Sequence, residues 1–250
     1  MRVDQALVEQ GLANSRTQAQ QMIDGGLVYL ADPTETPIKK SSQKIIDPTL
    51  LRVRESELHK YVSRGGLKLE GALRHTKFDP LGITALDVGI STGGFTDCIL
   101  KSGAQQVIGI DVGHNQLAAE LQNDPRVICL EGINARELSA AHLQTSGDTI
   151  AFDLIVVDVS FISLTLILPR LPVLLKAQGK LLALVKPQFE VGQAGLGKGG
   201  VVKDSSLFKD VENKIRTTCK EVGFEVEDYF ESSIHGGDGN KEFFVFASRI

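Results

Sequence analysis

The stretch TALDVGISTGGFTDCIL, residues 84–100, decides how the rest of the chain is read. Its first five residues make a short apolar strand, residues 89–94 turn tightly, and from Phe95 the pattern is helical. Strand, turn and helix in that order form a nucleotide cradle, with Gly89, Gly93 and Gly94 letting backbone approach a ligand closely. The glycine spacing is not G-x-G-x-x-G, and no phosphate-loop lysine follows, which disfavours a pyrophosphate ligand. Asp87 argues the same way: a carboxylate there repels phosphate but can hold the ammonium of an amino-acid moiety. The next apolar run, QVIGID, ends in Asp111, 22 residues beyond Gly89, where an acidic side chain accepts from the two hydroxyls of a ribose. An amine holder paired with a ribose holder points to S-adenosylmethionine. The competing reading has Asp87 and Asp111 capping their own turns through local backbone hydrogen bonds.

Outward from this cradle the chain alternates strand and helix. Strands are expected near 84–88, 106–111, 127–131, 152–159, 180–186, 224–231 and 242–248, a rhythm that predicts a parallel α/β sheet with right-handed crossovers. Gly89, Asp111, Asp158 and Lys186 then fall at carboxyl ends of strands, the edge where open α/β sheets bind ligands. Only HGGDGN and a few neighbours separate the last two strands, too little for a helical crossover, so these two form an antiparallel hairpin. Glu242, at the start of an antiparallel last strand, thereby reaches the same edge. Lys68, in SRGGLKL, is the fourth charged residue assigned to this group. Taken singly, each of these charges also fits an ordinary strand end.

Composition sets limits. With 250 residues, 42% of them hydrophobic, the chain can bury a sizeable core and hold one large domain and a small one, divided here as 1–60 and 61–250. Cys98, Cys129 and Cys219 are scattered and odd in number, and the five histidines lack metal spacing, so no disulfide framework and no metal site is expected. MRVDQALVEQG has no signal-peptide pattern, and the apolar region 152–175 is broken by charges and prolines; the expectation is a cytoplasmic enzyme with no membrane partner. The formal net charge is -4, which does not advertise nucleic acid. Its distribution does: residues 1–60 are balanced with eight basic and eight acidic residues, 61–78 carry a net +3, and 79–250 a net -7. A polyanion is drawn to the junction.

The first 60 residues predict a compact module: a helix over 3–9, a second capped by Ser15 and running to Ile23, a stop at Gly25-Gly26, and a strand at 27–30. A proline-bearing loop follows, then a possible strand at KIID and an alternating strand at LLRVRE.

YVSRGGLKLEGAL, DVGISTGGFTDCIL, IDVGHNQL, DVSFISL, VKPQFEVG and GKGGVV together resemble the TlyA family of haemolysin-named ribosomal-RNA 2′-O-ribose methyltransferases, and the likeness runs over nearly the whole chain. The resemblance implies a Rossmann-like S-adenosylmethionine-dependent methyltransferase sheet of FtsJ-like type with an antiparallel last strand. A small α+β RNA-binding domain of the small-ribosomal-protein-four type precedes it. It implies ribosomal RNA or ribosomal subunits as partners, and neither DNA nor membrane. By it, Lys68, Asp158, Lys186 and Glu242 correspond to a Lys-Asp-Lys-Glu catalytic tetrad. Asp87, Gly89, Ser91, Gly93 and Asp111 fall on cofactor-binding positions, and Asn134 lies near adenine. The alternatives are a ribosome- or RNA-binding protein without turnover and a membrane-active haemolysin.

The chemistry expected of the tetrad is removal of a proton from a weakly acidic ribose hydroxyl held in line with an activated methyl group. Lys186 is the candidate base. A free lysine, with a pKa of about 10.4, is charged at neutral pH, and a cationic neighbour with partial burial can bring such a group towards roughly 7 to 8. Lys68 is the candidate neighbour, while Asp158 and Glu242 orient the lysines and act in the opposite sense. A second mechanism uses Lys186 mainly to position the hydroxyl. VGQAGLGKGGVVKD reads either as a mobile lid whose Lys198 and Lys203 touch phosphate or as an ordinary loop. FISLTLILPRLPVLL reads as a core helix rather than a membrane-active peptide.

Overall fold

The structure, a computed structural model, describes every residue except Asn14, residues 55–59, residues 144–150, Lys203 and residues 237–238. It divides into two compact units, Met1–Lys60 and Tyr61–Ile250.

In the first unit, helix α1 (Val3–Glu9) and helix α2 (Arg16–Asp24) lie beside a two-stranded antiparallel ribbon of β1 (Val28–Leu30) and β2 (Leu51–Val53). Ser15 Oγ accepts the Gln18 amide and so caps α2. Val3, Ala6 and Leu7 of α1 meet Ala19, Met22 and Ile23 of α2 in the core, the i, i+3, i+4 spacing of one helix face. The KIID strand does not form. Lys44 makes only an isolated bridge to Arg2, because Asp47 caps a 3-10 turn, Pro48–Leu50, immediately afterwards. The LLRVRE strand is limited to Leu51–Val53, and its Glu55 lies outside the described residues.

Asp4 is the buried polar centre of this unit. It accepts two bonds from Arg2 at 2.9 Å and one from Arg16 Nη2 at 2.9 Å. The Arg2 hydrogen bonds, reinforced by Arg16, hold its carboxyl well below the usual carboxylate range. Two partly exposed guanidinium groups are thereby fixed side by side.

The second unit contains helix α3 (Arg64–Thr76), strand β3 (Thr84–Val88), helix α4 (Gly94–Lys101), strand β4 (Gln106–Asp111), the short helix α5 (Ala119–Gln122) and strand β5 (Val127–Glu131). Strands β6 (Phe152–Val157) and β7 (Leu175–Val185), helix α6 (Ser206–Val222), and strands β8 (Phe224–Glu231) and β9 (Phe243–Arg249) follow. Among the described residues the sheet has seven strands in the order β5-β4-β3-β6-β7-β9-β8, with only β9 antiparallel to its neighbours. Both faces are covered. Leu86, Val88, Ile155, Val157 and Leu181 point to one side, against Val211, Ile215 and Cys219 of α6. Ala85, Leu154, Val156 and Leu182 point to the other, against Leu69 and Leu73 of α3 and Phe95 and Ile99 of α4. This period-2 alternation, buried on both faces, is why the strands read as continuous apolar runs.

Several elements differ from the sequence expectation. Strand β6 ends at Val157, and β7 begins five residues early, at Leu175. FISLTLILPRLPVLL is not a core helix but three 3-10 turns, Leu164–Leu166, Leu168–Arg170 and Pro172–Leu174. Pro169 and Pro172 lie in the first turns of the last two, where a missing N–H is tolerated but an α-helix cannot pass through. The segment stays in the core, with Leu164, Ile167, Leu168, Leu171 and Leu174 buried. No described helix is long and apolar enough to cross a membrane.

The sheet order places the site. The chain steps from β3 outward through β4 to β5, then returns to the other side of β3 with β6, so the turn after β3 and the turn after β6 open a crevice at the carboxyl edge. Val185 of β7 pairs with Phe243 of β9, which puts Lys186 and Glu242 at that same edge.

Candidate active site

Two cavities open at the carboxyl edge. The smaller, about 190 Å³, is lined by Lys68, Asp158, Lys186 and Ser160 together with Ser63, Gly65 and the turn after β3. The larger, about 480 Å³, is lined by Gly89, Ser91, Asp111, Asn134, Val112, Ile133 and Phe161, among others. Gly89, Ser91, Asp158 and Ser160 border both, so the two spaces meet at the ends of β3 and β6.

The four charged residues come together as two ion pairs. Lys68, on α3 and 9% exposed, donates to Glu242 Oε2 at 2.5 Å; Glu242, 3% exposed, sits behind the lysine rather than on the cavity wall. Lys186 Nζ lies 2.6 Å from Asp158 Oδ1, a charge contact off the hydrogen-bonding direction, and donates instead to Ser160 Oγ at 2.9 Å. Each lysine thus has its own carboxylate, and both lysines face the small cavity.

Helix α3, which delivers Lys68, is absent from the sequence expectation. Its N-terminus packs so closely on α4 that a Cβ on Gly94 would stand 2.2 Å from Ser63 Oγ and 3.0 Å from the Gly66 amide nitrogen. The same closeness holds Asp97 of α4 on the Val62 amide, at 2.9 Å.

The turn after β3 shows what the cradle requires. Gly89 has φ 91°, and a Cβ there would come within 2.5 Å of the Asp158 carbonyl oxygen, so only glycine lets β3 and β6 end side by side. Ser91 also has a positive φ, 45°; its amide donates to Asp111 Oδ2 at 2.9 Å and its hydroxyl to Gln116. Asp111 Oδ1 accepts the Gly113 amide at 2.7 Å. The capping reading of Asp111 is therefore realised in the structure, and the carboxylate also lines the larger cavity, where its remaining lone pairs can accept from a ligand. Asn134 lines the cavity too, its Oδ1 capping the 3-10 turn Ala135–Glu137. Gly93 lines neither cavity; its left-handed backbone opens α4, and a Cβ would strike Leu121 Cδ1 at 2.2 Å.

Asp87 lines neither cavity either. It is buried, Oδ2 accepts the Thr96 hydroxyl at 2.7 Å and amide at 3.1 Å, and Oδ1 has no partner among the described residues. Burial pushes its carboxyl up to about 7; the Thr96 hydroxyl pulls back, and the negative charges of Asp158 and Asp111 push further. A carboxyl raised from 3.8 binds its proton more tightly in the folded state than in the unfolded one. Its contribution to stability is full below the unfolded value and is lost as pH rises through about 7. Replacing Asp87 by Asn should remove that loss: the stability of the variant relative to the native protein, from urea denaturation, is expected to rise between about pH 5 and pH 8, by at most ~3 kcal/mol. A constant difference across this range would contradict the burial described.

Two further residues at the site have no signal in the sequence around them. Ser160 contacts Lys186, as above. Phe161 has φ 63° and is 91% exposed, with its ring 5.2 Å from that of Phe189. A bulky residue in the left-handed region is strained, and here the strain turns an aromatic face out to solvent at the cavity mouth.

The Gly-rich segment after β7 is tied down at its base. Asn240, buried, accepts the Val202 amide at 3.1 Å and donates to the Gly200 carbonyl, and Leu196 bridges Val202. Lys198 lies in the exposed part, while Lys203 lies outside the described residues. Among the described residues no cluster of His, Cys, Asp and Glu is placed to hold a metal ion.

A doubly wound sheet with a glycine turn after its first strand, an acidic residue ending the second and two lysine–carboxylate pairs at the switch point defines a Rossmann-like methyltransferase. The chain belongs to the FtsJ-like methyltransferase family, which it matches over residues 61–249, and residues 1–31 match the S4 domain. It is 40% identical over 245 residues to a 16S/23S rRNA (cytidine-2'-O)-methyltransferase TlyA of Mycobacterium tuberculosis, covering 98% of this chain and 88% of that protein. It is 37% identical to Hemolysin A of Brachyspira hyodysenteriae, covering 97% and 98% respectively. Among solved structures, a provisionally named hemolysin from Streptococcus thermophilus superposes with a TM-score of 0.75 at 38% identity over 100% of this chain and 88% of that one. An S-adenosylmethionine-dependent methyltransferase of Mesorhizobium loti shares the fold alone, with a TM-score of 0.54 at 15% identity over 71% of this chain and 96% of that one.

Proposed function

We propose that this protein transfers a methyl group from S-adenosylmethionine to a ribose 2′-hydroxyl of ribosomal RNA in the cytoplasm. The observation that carries the reading is the border shared by the two cavities: a space of cofactor size meets a smaller one walled by Lys68 and Lys186, each paired with a carboxylate.

The residues fit the cofactor. Asp111 and Asn134, on the wall of the larger cavity, suit its nucleoside, and Gly89, which borders both cavities, suits its centre, whereas Asp87 is buried off both cavities and makes no direct contact with a ligand held in them. The bound sulfonium supplies a methyl group already activated for transfer. The chain's task is then to hold the ribose oxygen in line and manage its proton. Lys186, at the small cavity, orients the hydroxyl and takes the proton as the new bond forms, with Asp158 beside it balancing charge. Lys68, fixed by Glu242, places a second positive charge where negative charge grows on the oxygen. Phe161 offers its exposed face to the target base, since stacking on an aromatic ring is how splayed-out RNA bases are held. In the first unit, Arg2 and Arg16, held together by Asp4, and the exposed Lys39, Lys40 and Lys44 serve phosphate contacts.

Tritiated methyl transfer to naked ribosomal RNA, isolated subunits and assembled ribosomes tests this. Label is expected in alkali-stable dinucleotides, because a methylated 2′-oxygen cannot attack the adjacent phosphate. Label on bases alone, or none on any particle, would overturn it. Asp111→Ala should weaken cofactor binding by roughly 1–3 kcal/mol through the loss of ribose acceptors. Calorimetry on a variant with native circular dichroism reads this, and an unchanged dissociation constant would remove Asp111 from the cofactor site.

A further inference from the structure

The turn after β6 and the turn after β7 are fastened to one another along their length. Asp158 and Ser160 both meet Lys186, Phe161 packs on Phe189, and Glu190 closes the series. The Glu190 carboxylate, 1% exposed, accepts the Ser163 hydroxyl at 2.6 Å, the Leu164 amide at 2.7 Å and the Lys214 ammonium of α6 at 2.8 Å. Ser160 is exposed, but the residues that follow it are held. It lies in a segment anchored on one side by β6 and on the other by a buried, three-bonded carboxylate.

Lys186 has three N–H directions. Asp158 stands closest, as a charge contact at 2.6 Å, and the one hydrogen bond of the ammonium among the described residues is to Ser160, which accepts at 2.9 Å. No described residue accepts the Ser160 proton, so accepting from Lys186 is the one fixed bond of this hydroxyl among the described residues. Ser160 also borders both cavities, at the place where cofactor and ribose have to meet.

From this arrangement we infer that Ser160 is a positioning residue for Lys186, fixing its ammonium so that one N–H or lone-pair direction points into the small cavity. The inference rests on the proposed methyl transfer for its kinetic consequence. The contact itself can be read without it. The charged groups that line the small cavity with Lys186 are Asp158 of the β6 turn and Lys68 of α3, the latter paired with Glu242, and the substitution leaves all three in place.

Ser160→Ala should lower kcat for methyl transfer about tenfold, with KM for RNA and the calorimetric Kd for S-adenosylmethionine within twofold of native. Because the ammonium loses an acceptor that stabilises its charged form, the ascending limb of the pH–rate profile should move to lower pH. Ser160→Thr, which restores the hydroxyl, should recover at least half of kcat. Competitive acetylation of Lys186 by acetic anhydride, followed by mass spectrometry across pH, reads the same contact in the absence of RNA. The lysine in Ser160→Ala should become reactive at lower pH than in the native chain. Native kcat and pH profile in Ser160→Ala, or identical acetylation profiles in the two proteins, would overturn the inference. So would a rise in the cofactor Kd as large as the fall in kcat, which would make Ser160 a cofactor contact. An inactive native protein with a shifted acetylation profile would instead refute the proposed function and leave the Lys186–Ser160 contact standing.

Discussion

Lys186→Ala is expected to lower single-turnover methyl transfer by about 10³-fold or more while leaving the dissociation constant of S-adenosylmethionine within twofold of native. The magnitude follows from a proton-handling group contributing roughly 10²–10⁴ and from the loss of the hydroxyl's orientation besides. Binding is spared because Lys186 borders the smaller cavity and not the larger one. Asp158 loses its counter-charge, but removing the lysine side chain opens its buried Oδ1 to the small cavity and to water, so the fold should hold. Lys186→Arg should not rescue: the guanidinium stays protonated and its planar fork cannot occupy the place of a compact ammonium between Asp158 and Ser160. Quenched-flow tritium transfer with calorimetry on the same preparations decides it. Activity within tenfold of native in either variant would take Lys186 out of the chemistry.

The second large effect is expected from removing the first unit. A chain beginning at Tyr61 retains both hydrophobic clusters of the sheet and all four tetrad residues, so it should fold and bind cofactor with an unchanged Kd. It lacks Arg2, Arg16, Lys39, Lys40 and Lys44. If these neutralise even two or three phosphates, methylation of structured RNA at about 150 mM salt should fall by about 10²-fold, and the slope of log activity against log salt should flatten by about 0.9 for each phosphate no longer neutralised. Equal rates and equal salt slopes for the two chains would show that the first unit plays no part in RNA docking and leave that task to the basic residues from Arg64 to Lys77.

Much of this is legible in the sequence because strand ends are legible. Apolar runs such as FDLIVV and LLALV announce buried strands, and a charged residue closing each must lie at the carboxyl edge, which is how the amino-acid order alone places Asp158 and Lys186. Glu242 follows from the shortness of one turn. Helix α3 escapes because its glycines suppress the helical signal. Gly66 and Gly71 are there for packing, since a Cβ on either would stand 2.3 Å from Tyr61 or Ser233, and no local propensity reports a tertiary need. The turns at 164–174 read as a helix because leucine spacing outweighs two prolines. Phe161 and Ser160 are invisible for a different reason: the first owes its position to a left-handed backbone and the second to a neighbour 26 residues away, neither of which is written in adjacent residues. Asp111 reads as either a cap or a ribose holder, and its carboxylate caps the turn while still lining the larger cavity.

The place of β9, antiparallel and inserted between β7 and β8, bears on how the protein is made. Lys68 and Glu242 are 174 residues apart in sequence, and their pair needs the last strand of the chain, which lies between two others in the sheet. Until that strand has been synthesised, a growing chain carries Lys68 without its carboxylate, an uncompensated charge at a site that the finished fold buries, which makes closing the site costly. An unfinished copy, surrounded by the very kind of RNA proposed as its substrate, therefore lacks a working set of charges. If these charges act as proposed, competence to modify arrives with completion of the sheet.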